Sequence, residues 1–198
     1  PGCNCGDYHF TLSDGRTVHR APRTVFCPVH GLNESYLNSF SAHAAWVCRR
    51  SSYRRCDLYH ITVTLHAEDV RRLGLSVGDT RAVLSQLLPR LRKRLKRRDE
   101  DAEALLSLSP RPKSGEYHLH VLVLSKGCTT ADVGDVFGLD GTDVHVTTPK
   151  SRWQRRRDEG HHEAPMSAER FAAAMGAYLF KNRVHGALQE AETRFSSW

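Results

Sequence analysis

The 198-residue chain predicts an α+β domain, an antiparallel sheet with helices packed on it, behind a small Cys- and His-rich module. The prediction rests on three observations. Residues 59–65 and 116–124 have the alternating or wholly apolar character of strands. Residues 80–98 and 167–189 repeat apolar side chains at helical spacing. From residue 57 the elements run strand, helix, strand, strand, helix, strand, helix, the split β-α-β order of a ferredoxin-like sheet.

Residues 1–50 are rich in Gly, Cys and His and weakly periodic, and read as an irregular module that ends near Ser51-Ser52. Residues 57–190 read as one domain. In Tyr59–Leu65, Ile61, Val63 and Leu65 alternate with polar residues, as in a half-buried strand. Leu84, Leu88, Leu91 and Leu95 then mark an amphipathic helix over 80–98, in which Pro89 should cause a kink or shift the start. A strand over Glu103–Ser109, a turn over Pro110–Gly115 and a strand over Glu116–Leu124 follow. A short helix over Thr129–Phe137, a strand over Asp143–Thr148 and a basic loop over 149–165 lead to the last helix, Ser167–Gln189, with Ser167 as its cap and Glu169 in its first turn.

Composition narrows the function. A hydrophobic fraction of 39% and a charged fraction of 26% belong to a folded chain, and no stretch approaches the roughly 20 apolar residues of a membrane span. Pro1–Cys5 lacks the basic and apolar regions of a signal peptide, so an intracellular protein is expected. The net charge of +7 suits a polyanion, and its clustering is more telling. Arg90–Arg98 carries seven basic residues in nine. Around Trp153 stand Lys150, Arg152, Arg155, Arg156 and Arg157, cations to track phosphates beside a ring to stack on bases, as single-stranded nucleic acid requires.

Six cysteines lie at 3, 5, 27, 48, 56 and 128. Cys3-Asn-Cys5 and Cys27-Pro-Val-His30 supply four soft ligands in two short clusters, a set suited to a structural zinc ion. Cys48 and Cys56 are alternatives for one or two of these positions.

The chemistry centres on Glu116-Tyr-His118-Leu-His120. Side chains two apart on a strand share a face, so Glu116, His118 and His120 project together, opposite Tyr117, Leu119 and Val121. Two imidazoles and a carboxylate on one rigid strand form a half-shell for a divalent metal, although a bare His pair is equally at home on a half-wet sheet face. In the last helix Phe171, Met175, Tyr178 and Asn182 share one stripe, with Lys181 beside Tyr178 on the helix surface.

Taken in order, the strand Tyr59–Leu65, the pair His118-Leu-His120 and the helical Tyr178-Leu-Phe-Lys181 resemble the motifs of the HUH endonucleases, specifically the one-tyrosine replication initiator (Rep) proteins of rolling-circle replicons. The resemblance spans about residues 57–185. It implies a ferredoxin-like or RRM-like core that nicks single-stranded DNA, or an origin hairpin, and rejoins it. It also implies manganese or magnesium on His118 and His120, Tyr178 as nucleophile, Lys181 beside the phosphate and Asn182 at the DNA. A helicase or a second protomer would be partners, in the cytoplasm of a bacterial or archaeal host of a plasmid or mobile element.

Two departures from the family pattern stand out. The third metal ligand has no clear position; Glu116 is the candidate, with Glu103 and Asp57 in reserve. Position 182 is Asn, so no second tyrosine follows Tyr178. An HUH transposase or relaxase would use the same chemistry, and a non-catalytic zinc-containing nucleic-acid-binding protein would keep the basic runs without needing Tyr178. A histidine-triad hydrolase would need a third histidine at position 122, which is Leu.

Overall fold

The computed structural model describes residues 8–11, 17–20, 26–27, 31–32, 34–75, 80–111, 116–139, 142–188 and 194–197, and side chains at 38, 41–75, 82–109, 116–139 and 142–179. The first strands form two small hairpins, β1 (Tyr8–Thr11) with β2 (Thr17–Arg20) and β3 (Phe26–Cys27) with β4 (Gly31–Leu32). Helix α1 (Glu34–Arg50) follows, then β5 (Leu58–His66), α2 (Ala67–Arg72), α3 (Thr80–Lys96), β6 (Glu103–Arg111) and β7 (Glu116–Leu124). The chain continues through α4 (Thr130–Phe137), β8 (Asp143–Thr147), α5 (Pro149–Asp158), α6 (Ala168–Leu188) and β9 (Arg194–Ser197). The large sheet has the order β8-β5-β7-β6-β9, with every neighbouring pair antiparallel. The protein is therefore α+β, as expected.

Each sheet face has its own core. On one, Tyr59, Ile61, Val63 and Leu65 of β5 and Leu119, Val121 and Val123 of β7 pack against Val83, Leu87, Leu91 and Leu95 of α3 and Val133, Val136 and Phe137 of α4. This is the amphipathic stripe expected of α3, whose cations face outward. Pro89 lies inside α3 and does not move its start at Thr80. Ser85 and Pro89 are both on the exposed side, so water can meet the carbonyl that proline leaves unpaired.

On the opposite face, Leu58, Leu105, Leu122 and Leu124 pack against Ala44, Val47 and Cys48 of α1 and Phe171, Ala172, Met175 and Leu179 of α6. This corrects the irregular reading of residues 34–50. They form a helix because Ala44, Val47 and Cys48, three and four apart, make an apolar patch that α6 completes. The patch is too short to show as periodicity in a stretch of Ser, Asn and His.

The basic segment after β8 is also corrected: residues 149–158 are helix α5, not loop. Thr148 caps it through its side chain, which accepts from the Ser151 amide at 3.1 Å, and Pro149 opens it at the first turn. Its interior of Lys, Gln and Arg favours helix without any apolar stripe to advertise it. After residue 57 two elements come in addition to those expected, the short α2 and the edge strand β9, and before it the hairpin strands β1–β4 were not expected either. β6 also continues two residues past its expected end at Ser109. Pro110 is accommodated because β9 pairs only Leu105–Leu108, so among the described residues one side of β6 has no partner strand there.

Phe171 is 1% exposed and holds α6 on the sheet. Phe171→Ala should lower unfolding stability by about 3–5 kcal/mol in urea denaturation. A loss below 1 kcal/mol would show that α6 is not held by this contact.

Candidate functional site

The sheet face beneath α1 and α6 changes character along its strands. Leu105 and Leu122 stand side by side under α6, with His60 next in the same row. The following row reads Ser107, His120, Thr62 and His145 across four strands, and the one after it Ser109, His118, Thr64 and Asp143. A last row holds Glu116 opposite His66. The alternation that buries Ile61, Val63, Leu119 and Val121 on the far side thus forces a band of His, Ser and Thr onto this one.

Tyr178 of α6 stands where the apolar rows give way to the polar ones and is 39% exposed. Its ring meets His60 edge-on at 5.3 Å between centroids and His120 edge-on at 5.4 Å. His60 and His120 stack at 6.0 Å, and His118 lies 6.1 Å from His120. The sequence-predicted pair on β7 and the tyrosine on α6, some 60 residues apart, are therefore brought together. His60 was missed as a member. Its strand was recognised, but nothing in one strand's sequence reveals that its second residue lands beside His120.

His120 is almost fully buried, and its Nδ1 lies 3.2 Å from Thr62 Oγ1. The Thr62 hydroxyl thus contacts the His120 ring from the neighbouring strand and fixes its orientation. His60 is held neutral: burial first, then the charges of Arg152 and His145, push its pKa down to about 4. The His60 Nε2 is buried without a hydrogen-bond partner among the described residues.

Glu116 lies beside His118, with Oε2 3.5 Å from Nε2, and reaches His66 Nδ1 at 3.3 Å. The two reserve carboxylates are committed elsewhere. Glu103 pairs with Arg50 at the far end of β6, and Asp57 accepts from the Arg54 amide at 2.7 Å just before β5. His118, His120 and Glu116 match a divalent cation in donor chemistry. Among the described residues no three such groups already converge on one point.

Lys181 and Asn182 belong to α6, but their side chains lie outside those described, as do those of Cys3, Cys5, Cys27 and His30. Cys48, the alternative zinc ligand, is buried in the α1–α6 core, and burial, with Glu169 and Asp57, pushes its thiol up to about 11. On α5, Arg152, Arg155 and Arg156 turn towards His60 and His145, Lys150 and Trp153 line a groove with Tyr59, and Trp153 also borders a pocket with Arg152 and Arg156. Trp153 is engaged as well: its indole N–H donates to the Glu163 carbonyl at 2.9 Å, and Arg157 lies 5.0 Å over its ring.

The His60 environment sets a pH dependence. With its folded pKa lowered to about 4 from 6.5, the unfolded chain takes up the proton first as pH falls. The contribution of neutral His60 is therefore complete above pH 6.5, declines between 6.5 and 4, and is lost below that, up to about 3 kcal/mol in all. Unfolding measured in EDTA should show this decline, and His60→Phe should flatten it. An imidazole signal for His60 titrating near 6.5 in NMR would contradict the assignment.

Neither a protein-family model nor a curated protein matches the chain. Among solved structures it is similar to the hypothetical protein ORF119 from Sulfolobus islandicus rod-shaped virus 1, at 16% identity and a TM-score of 0.34, over 67% of this chain and 97% of that one.

Proposed function

We propose that the chain is an HUH-type endonuclease that nicks single-stranded DNA or an origin hairpin at Tyr178 and can rejoin it, the reaction that begins rolling-circle replication. The observation that carries the reading is the contact of a half-exposed helical tyrosine with His120 and His60 on a polar band of an antiparallel sheet. The strand order β8-β5-β7-β6, reached through helical crossovers, supports a ferredoxin-like core for it.

In this reading the Tyr178 hydroxyl oxygen attacks the scissile phosphorus, the P–O3′ bond breaks, and a 5′-phosphotyrosine forms. The phenolic proton leaves, and the departing 3′ oxygen takes one up to become a free hydroxyl. His60, in ring contact with Tyr178, offers one imidazole nitrogen to this exchange. A manganese or magnesium ion held by His118, His120 and Glu116 would polarise the phosphoryl group and offset the charge that develops on it. Lys181, one helical turn beyond Tyr178, is assigned to the same phosphate. The new phosphodiester is close in energy to the old one, so a 3′ hydroxyl can reverse the step without ATP.

With Asn182 in place of a second tyrosine, two successive strand transfers need a second protomer or repeated use of Tyr178. Transposition would use the same chemistry. The Cys3, Cys5, Cys27 and His30 cluster enters the proposal as a structural zinc site on its sequence pattern.

Incubation with hairpin oligonucleotides and manganese, followed by denaturing electrophoresis, should reveal a covalent protein–DNA adduct that Tyr178→Phe abolishes. An adduct of undiminished yield in that variant removes Tyr178 as the nucleophile. His120→Ala should reduce nicking by at least about a hundredfold while changing DNA retention on a filter by less than about threefold, because affinity comes mainly from surface cations. Parallel loss of both would refute this division of labour.

A further inference from the structure

Beside the Tyr178 site, β5, β8 and α5 enclose an open cleft of about 500 Å³, lined by His60, Thr62, His145, Arg152, Arg155 and Arg156. It shares His60 with the tyrosine site and leads away from it across the sheet edge. The volume is that of an ordinary ligand cleft. We infer that it holds a backbone phosphate of the DNA strand next to the phosphate that reacts at Tyr178, an inference that rests on the nuclease reading.

The lining is built for an anion. Arg152, Arg155 and Arg156 fall at i, i+3 and i+4, so one side of α5 presents three guanidinium groups together. Arg156 is held at 3.1 Å by Glu163, whereas neither Arg152 nor Arg155 forms an ion pair among the described residues. Glu159 is the lone carboxylate on the lining. Two buried nitrogens, His60 Nε2 and Arg156 Nε, have no hydrogen-bond partner among the described residues. Natural proteins rarely leave such groups unmet, and an anion in the cleft would accept from both. Thr62 and Thr147 add hydroxyl donors from neighbouring strands.

The cleft suits a backbone rather than a base. Apart from imidazoles its lining holds no aromatic ring, and the neighbouring Trp153 ring is engaged by Arg157 and the Glu163 carbonyl. Contacts of this kind position a strand without reading its sequence, and they weaken with salt. The larger basic run belongs to α3, whose apolar side packs on the opposite sheet face from Tyr178.

The test is fluorescence anisotropy of a labelled single-stranded DNA with the full chain in EDTA, over a salt series. Arg155 is exposed, so Arg155→Ala should fold normally. It should weaken binding by about three- to tenfold and reduce the salt slope by about 0.7, whatever the DNA sequence. Lys93→Ala on α3 should leave both unchanged. Unaltered binding in Arg155→Ala, or an equal loss in Lys93→Ala, overturns the cleft assignment. The covalent-adduct assay separates the two readings. An adduct in the wild type with binding insensitive to Arg155 removes the cleft alone. No adduct with the Arg155 effect intact removes the nuclease and leaves a backbone-binding cleft.

Discussion

The middle strands β5 and β7 have to satisfy two covered faces at once, and the rest of the molecule follows from how they do it. One face is apolar along its length and takes α3 and α4. The other is apolar only at one end, through Leu58, Leu105, Leu122 and Leu124, and takes α1 and α6 there. Extending the leucines by one more row would seat α6 further along and bury the histidines. Ending them one row earlier would leave α6 nothing to dock on. The level at which Leu122 is succeeded by His120 therefore fixes both where the helix stops being held and where polar chemistry begins.

That boundary explains the electrostatic character of the site. Polar side chains under a helix are costly unless their hydrogen bonds are met. Thr62 meets His120 from the neighbouring strand, and Glu116 meets His118 and His66 along the last row. His60, closest to the apolar end, is kept neutral by burial and by the Arg152 and His145 charges. The band thus grades from a neutral, enclosed imidazole under Tyr178 to an imidazole and carboxylate nearer solvent.

Much of this was legible in the sequence, and what was not has definite physical causes. The period-two pattern of residues 116–124 gave the strand, its faces and the three side chains on one side of it. The leucine spacing gave α3, and the stripe of Phe171 and Met175 placed Tyr178 on α6, while the resemblance to the HUH motifs singled it out. Helix α5 was not legible because a run of Arg, Lys and Gln has helical propensity but no apolar period, and its Thr148–Ser151 cap is a local signal easily lost in a basic segment. Helix α1 was hidden because its buried patch has meaning only against α6. His60 was hidden for a third reason: membership of the site depends on cross-strand register, which pairs His60 with Leu122 and Thr62 with His120, and register is a property of two strands.

The tyrosine's position adds one more step. Leu179 is fully buried and its chain neighbour Tyr178 is not, so a helical rotation of one residue separates an anchor from a side chain that faces the polar band. Phe171, Met175 and Leu179, spaced by four, hold the stripe, and Tyr178 lies three after Met175 at its edge. Its ring is thereby pressed against two imidazoles by the packing of side chains that take no part in the chemistry. The α1–α6 core positions Tyr178 as surely as β7 positions the histidines. Loss of packing around Cys48 or Phe171 would move the tyrosine while leaving every polar group of the site intact.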